Sequence, residues 1–129
     1  MRAAKKLADT IGNFKEAPEV EVLAVHLAVP HVPHMNLVVS KEVLDRYYAE
    51  ECEMMLGPAR NVLDSAGVKY TVKTRIGPIA ENIAAEARDM RCDYIYMGTH
   101  GRTAIGNMVM GSVATRILHL TDVPVVLVH

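Results

Sequence analysis

No stretch of this sequence approaches the roughly 20 apolar residues needed to cross a bilayer. The amino-terminal Met1-Arg2-Ala3-Ala4-Lys5-Lys6 also lacks the continuous apolar run of a secretory signal. A soluble, cytoplasmic protein is the expectation. Charge of one sign is missing as well. Fourteen Lys+Arg against 15 Asp+Glu leave a formal net charge of -1, so no chain-wide positive field draws the protein onto nucleic acid or an anionic membrane. Cysteine is scarce: Cys52 and Cys92 stand 40 residues apart without a C-x-x-C or metal-ligand pattern, which argues against a disulfide framework and for buried, reduced thiols. Internal repeats, low-complexity tracts and linkers are absent too. The 129 residues, half of them apolar, are therefore expected to form one domain, 1–129, with a proper core.

What is present is an alternation of two periodicities. Ala4, Leu7, Ala8, Ile11 and Phe14 recur at helical spacing, which predicts a helix over 1–14. The β-branched, apolar run 20–29 reads as a strand buried on both faces, ended by Pro30 and Pro33. Ser40 offers an N-cap to a helix over 41–66, with Leu44, Tyr48, Cys52, Met55, Ala59, Val62 and Ala66 along one stripe and a kink or break at Gly57-Pro58. Gly67 closes it. Residues 68–76 alternate polar with apolar, as an edge strand whose lysines blunt unwanted pairing. Pro78 then opens a helix with Ile79, Ile83, Ala87 and Met90 inward. A strand over 92–97, a helix over 112–120 with Val113, Ile117 and Leu120 inward, and a strand over 124–129 complete the order. Such alternation predicts an α/β fold, a doubly wound, Rossmann-like parallel sheet with helices on both faces.

In an open parallel sheet, ligands collect beyond the carboxyl ends of the strands. Gly98 stands at such an end and begins Gly98-Thr99-His100-Gly101-Arg102, which runs on to Gly111-Ser112-Val113-Ala114. Glycine at 98 and 101 allows positive φ and close approach of the backbone to a bulky anion. Gly111-Ser112 lies where the next helix begins, so its free N–H groups, its partial positive charge and the Ser112 hydroxyl face the same space. His100 and Arg102 can add charge or hydrogen bonds to a phosphate. Two glycines alone would mark only a tight turn; here the spacing carries more.

Gly98-x-x-Gly101, nine residues, then Gly111-Ser112 resembles the nucleotide-binding signature of the ATP-binding branch of the universal stress protein family. The flanking Tyr94-Ile95-Tyr96-Met97 and Val123-Pro124-Val125-Val126-Leu127-Val128 are similar too. The resemblance implies a five-stranded parallel sheet, adenine-nucleotide binding such as ATP or AMP with or without Mg2+, and a homodimer through Val125–Val128 in a stress-response or signalling role. It implies ribose and phosphate contacts at Met97, Gly98, His100, Gly101, Gly111, Ser112 and Val113, and an adenine contact at the backbone of Leu27. The family's opening strand and its Asp have no counterpart before the first helix. Three arrangements then stay open: direct pairing of the strands around Val25 and Ile95, a strand from another chain, or an upstream segment.

Other residues are read more plainly. His31 and His34 lie among prolines without a third metal ligand, so a solvent-facing pair is expected. His26 is expected as a hydrogen-bonded core histidine. Glu50, Glu51 and Glu53 are expected on a solvated helix face. Met54 and Met55 are assigned to helix packing and Met108 and Met110 to loop packing. Three functions follow in order: a nucleotide-binding module, a nucleotide-independent interaction protein, and a slow ATP hydrolase. For the last, the sequence lacks a Gly-Lys-Ser ending and an adjoining base.

Overall fold

The computed structural model describes residues 2–28, 40–98 and 111–128. Helix α1 (Arg2–Thr10), followed by a short 3-10 turn at Ile11–Asn13, leads to strand β1 (Glu21–His26). Helix α2 (Lys41–Ser65), β2 (Thr71–Ile76), α3 (Ile79–Asp89), β3 (Ile95–Gly98), α4 (Ser112–Leu120) and β4 (Val125–Val128) follow. The α/β alternation is as expected. Among the described residues, two parallel pairs of strands stand where the resemblance implies one five-stranded sheet. β1 pairs in parallel with β2 from Glu21↔Thr71 to His26↔Ile76, β3 pairs in parallel with β4 from Ile95↔Val125 to Gly98↔Val128, and the two pairs do not bond to each other. Direct pairing of the strands around Val25 and Ile95 is thus ruled out among the described residues.

Helices bind the two half-sheets into one body. α1 packs on α2 and also reaches β3 and β4, while α3 lies against β1, β2 and α4. Among the described residues, the core has two centres. In one, Ala4 of α1 meets Ala59 and Leu63 of α2 and Val68, with Ala8, Ile11, Val20 and Val22 around them. In the other, Ala24 of β1 meets Cys52 and Leu56 of α2.

Local chemistry explains the elements' ends. The Ser40 hydroxyl accepts the Val43 N–H at 3.2 Å, the predicted cap of α2. Gly67 ends α2 at φ +71, with its N–H bonded to Asp64 O and the Val68 N–H bonded to Leu63 O, the glycine-terminated turn in which a left-handed residue closes the helix. Pro58 does not break α2, which runs unbroken through it. Met54, whose carbonyl would have met the missing N–H, is 73% exposed, while Leu56 and Ala59 on either side of Gly57-Pro58 are held in the core.

Four inward assignments fail. Ala66, Met90 and Leu120 are exposed because each sits at the last position of its helix or just beyond it, where the axis leaves the core. Met54 faces away from the stripe set by Cys52, Leu56, Ala59 and Leu63. Their places are taken by Ala80 and Glu86 on α3 and Ala114 on α4. Pro78 stands one residue outside α3, as its N-cap. Cys52 is buried, Cys92 is half-buried, and both are free.

Candidate functional site

The carboxyl end of β1 is built from bonds on both sides. Gly77, at φ +137, donates its N–H to His26 O at 2.8 Å and so ties the end of β2 to the end of β1. A Cβ at Gly77 would lie 2.9 Å from Asn82 Nδ2, and only glycine takes that φ without strain. His26 is half-buried rather than a core histidine. Its Nδ1 lies 2.7 Å from Leu27 O, its Nε2 lies 3.6 Å from Glu51 Oε2, and the Tyr47 and Tyr48 rings stand 5.8 Å from its ring. With Nδ1 as the donor, the ring fixes the carbonyl of Leu27 while the Leu27 side chain stays 58% exposed. This aromatic cluster was not legible as such: Tyr48 reads as one more member of an apolar stripe, and Glu51 as one of three surface acids.

The second part lies at the end of β3 and the start of α4. Met97 and Gly98 are half-buried, pair with Leu127 and Val128, and end β3. Gly98 is extended there, so the positive φ expected of it does not occur. Gly111 is the N-cap of α4 at φ -73 and ψ 163, also extended, and it makes no side-chain cap bond. Its carbonyl accepts from the Thr115 N–H and Thr115 Oγ1, both at 3.1 Å. The amides of Ser112, Val113 and Ala114 therefore have no acceptor among the described residues, with Ser112 exposed beside them. Free amides at a helix start, next to a hydroxyl, suit the oxygens of a phosphate. His100, Gly101 and Arg102 lie outside the described residues, as do His31, His34, Met108 and Met110.

Glu81 of α3 is bonded to Arg116 of α4. That hydrogen bond holds the Glu81 carboxyl below the usual carboxylate range and pins the two helices together. Among the described residues, no group of three or more His, Cys, Asp or Glu side chains could hold a metal, and no helix is long and apolar enough to cross a membrane.

A buried acid lies towards the opposite, amino end. Glu86 of α3 is 3% exposed, and its Oε1 takes Lys73 Nζ at 3.0 Å and Arg75 Nη2 at 2.8 Å. Its Oε2 is buried without a donor. Burial pushes Glu86 up, but the hydrogen bonds of Glu21, Lys73 and Arg75 outweigh it and hold this carboxyl below its ordinary value. Burial first, then the hydrogen bond and charge of Glu86, push Glu21 above its own. Glu21 can therefore supply a donor to Oε2 only when protonated. Lys73, expected to blunt an edge, serves this acid instead. Glu86 was missed because both of its cations come from another element, a relation that no local spacing encodes.

Comparison with known proteins gives one family. The sequence profile of the universal stress protein family matches residues 1–129. The universal stress protein Slr1230 of Synechocystis sp. is 37% identical over 70 residues, which are 54% of this chain and 24% of that protein. The chain thus spans well under two thirds of that relative's length. Among solved structures, that of the hypothetical protein MJ0577, from a study assigning its biochemical function, superposes with a TM-score of 0.73 at 24% identity, covering 98% of this chain and 84% of that one. A universal stress protein solved in complex with cAMP superposes with a TM-score of 0.66 at 15% identity, covering 99% and 87%. At these identities, the likeness to the solved structures is one of fold.

Proposed function

This chain belongs to the universal stress protein family, and from that premise we propose that it binds an adenine nucleotide at the carboxyl edge of its strands. In this reading, Leu27 meets the base through its backbone, Met97 and Gly98 flank the ribose, and Ser112 and Val113 bind phosphate oxygens. Gly111 keeps the approach open, and His100, Gly101 and Arg102 complete the phosphate contacts. The observation that carries the proposal is the start of α4, where the amides after Gly111 have no acceptor among the described residues and Ser112 is exposed. The family relative bound to cAMP supports the choice of ligand class. Binding shifts dimerisation or partner binding in a stress response, with the outer edge of β4, Val125–Val128, as the dimer contact. Catalysis is not part of the proposal. Glu81, the acid that α3 brings to α4, already serves as the counter-ion of Arg116.

Calorimetric titration with ATP, AMP and cAMP tests it, repeated on Ser112→Ala and Gly111→Ala. Loss of the Ser112 hydroxyl is expected to weaken binding about tenfold, the value of one hydrogen bond to a charged group. Gly111 is extended, so alanine fits there without strain and weaker binding reports the lost close approach. Equal affinity in both variants and the parent sinks the site. ATP co-purifying with the protein excludes the nucleotide-independent alternative.

A further inference from the structure

Leu27 lies one residue past the end of β1, where the β1–β2 register has stopped. Two bonds orient its backbone instead. The Gly77 N–H holds His26 O at 2.8 Å and fixes the peptide unit before Leu27, while His26 Nδ1 lies 2.7 Å from Leu27 O and fixes the unit after it. A carbonyl oxygen only accepts, so Nδ1 carries the hydrogen at that distance. The His26 ring is itself held from α2. Tyr47 stands edge-on to it at 84° and Tyr48 is tilted at 59°, both with ring centroids 5.8 Å away, and Glu51 Oε2 lies 3.6 Å from the other ring nitrogen, Nε2. One helix thus sets, through one imidazole, the direction of a single main-chain carbonyl. Large apolar side chains stand exposed around it: Leu27 itself at 58%, Ile76 at 38% across the ladder from His26, and Tyr47 at 41%.

We infer that His26 is a positioning residue that sets base specificity, because it aims the carbonyl of Leu27 at the 6-amino group of a purine; this rests on the nucleotide site proposed above. A carbonyl oxygen has two lone pairs. The His26 ring takes one and leaves the other for an N–H of the base. Adenine offers that N–H at its 6-amino group. Hypoxanthine and guanine carry a 6-oxo group there, so acceptor meets acceptor and the Leu27 carbonyl is left without its hydrogen bond, which is how a site built around one polar group rejects the analogue that lacks its partner. A carbonyl past the end of a strand, with nothing to hold it, would turn to suit either base or to face water. The imidazole removes that freedom. The exposed apolar side chains beside it suit the face of a flat ring and do not distinguish one purine from another, so discrimination falls to the held carbonyl.

The test is calorimetric titration of the intact protein with ATP and with ITP, its 6-oxo counterpart. The parent is expected to prefer ATP about tenfold, the worth of one hydrogen bond. His26→Leu is expected to weaken ATP about tenfold and to leave ITP nearly unchanged, so that the preference disappears. His26→Asn places an amide N–H where Nδ1–H stood and is expected to keep most of the preference. A purely structural role for His26 would weaken both nucleotides alike. Nitrogen NMR of the parent's imidazole gives a readout that needs no variant, and the neutral ring is expected to carry its hydrogen on Nδ1. Four results overturn the inference: a preference that survives His26→Leu, equal weakening of ATP and ITP in that variant, a preference lost as fully in His26→Asn, or a bare Nδ1. A parent that binds ATP and ITP equally, with both weakened by Ser112→Ala, sinks this inference and leaves the nucleotide site standing. A parent that binds neither sinks both.

Discussion

β1 and β2 pair along six residues each and are closed at both ends, by the Thr71 N–H on Val20 O at 2.9 Å and the Gly77 N–H on His26 O at 2.8 Å. β3 and β4 pair along four, and every residue in them is only half-buried. Among the described residues, the first half also holds the two apolar clusters, through α2, and the Lys73–Glu86–Arg75 ion set. In the second half, β3 and β4 lie against α1, and α4 lies against α3. The difference teaches that the portion resembling a nucleotide site is attached to the better-packed portion and borrows its rigidity. Local opening is therefore expected to begin at β3 and β4.

The strongest way to break this comparison is to cut each half's core separately. Leu56→Ala, at a site 2% exposed between Ala24 and Cys52, is expected to cost about 3 kcal/mol. Urea unfolding should show that loss for the whole molecule. Ile117→Ala removes a fully buried side chain of α4 and is expected to cost about as much on the same scale. Here exchange protection should collapse in β3 and β4 while β1 and β2 keep theirs. Equal loss of protection in both halves from either variant would show that the halves are one cooperative unit.

Glu86 and Glu21 sharpen the comparison through pH, with opposite signs. The Glu86 pKa is lowered in the folded state, so its contribution is present above the unfolded value near 4.5 and is lost as pH falls through the folded one. Glu86→Gln is expected to cost about 2 kcal/mol at pH 7, by stripping Lys73 and Arg75 of their anion, and to differ little from the parent once the pH has fallen through the lowered folded value. The Glu21 pKa is raised, so its favourable share is present below the unfolded value and disappears as pH rises through the folded one. Glu21→Gln is accordingly expected to gain about 0.5 kcal/mol at pH 7, because an amide gives Oε2 a permanent donor. Thermal unfolding from pH 3 to 8 reads both effects. Between these two in size is an effect at the edge of the stronger half: Ser40→Ala removes the α2 cap and is expected to cost about 1 kcal/mol.

The order of elements was legible because each helix repeats its apolar residues every three or four positions, while the strands are short and β-branched. β2 was legible as an edge from its alternation. What failed has a common cause in geometry beyond the local window. Ala66, Met90 and Leu120 continue their stripes in sequence, but the helices end or leave the core there. Pro58 looked like a break because its packing neighbours are not adjacent in sequence. Glu86 was silent because a glutamate in a helix declares nothing about cations one strand away. In the candidate site, the glycine spacing and the helix start at Ser112 could be read directly. The extended backbone at Gly98 and the His26 cluster could not, since one depends on pairing with β4 and the other on α2 crossing β1.

The two thiols fall one in each half, Cys52 in the centre of the α2–β1 packing at 1% exposure and Cys92 at the threshold of β3. Both are raised by burial first, and neither is bonded to the other. The molecule thus carries its own pair of chemical clocks. An alkylating reagent will tick at Cys92 whenever the weaker half loosens, and at Cys52 only when the long helix lifts, so the ratio of the two labelling rates times how far apart in energy the two openings lie.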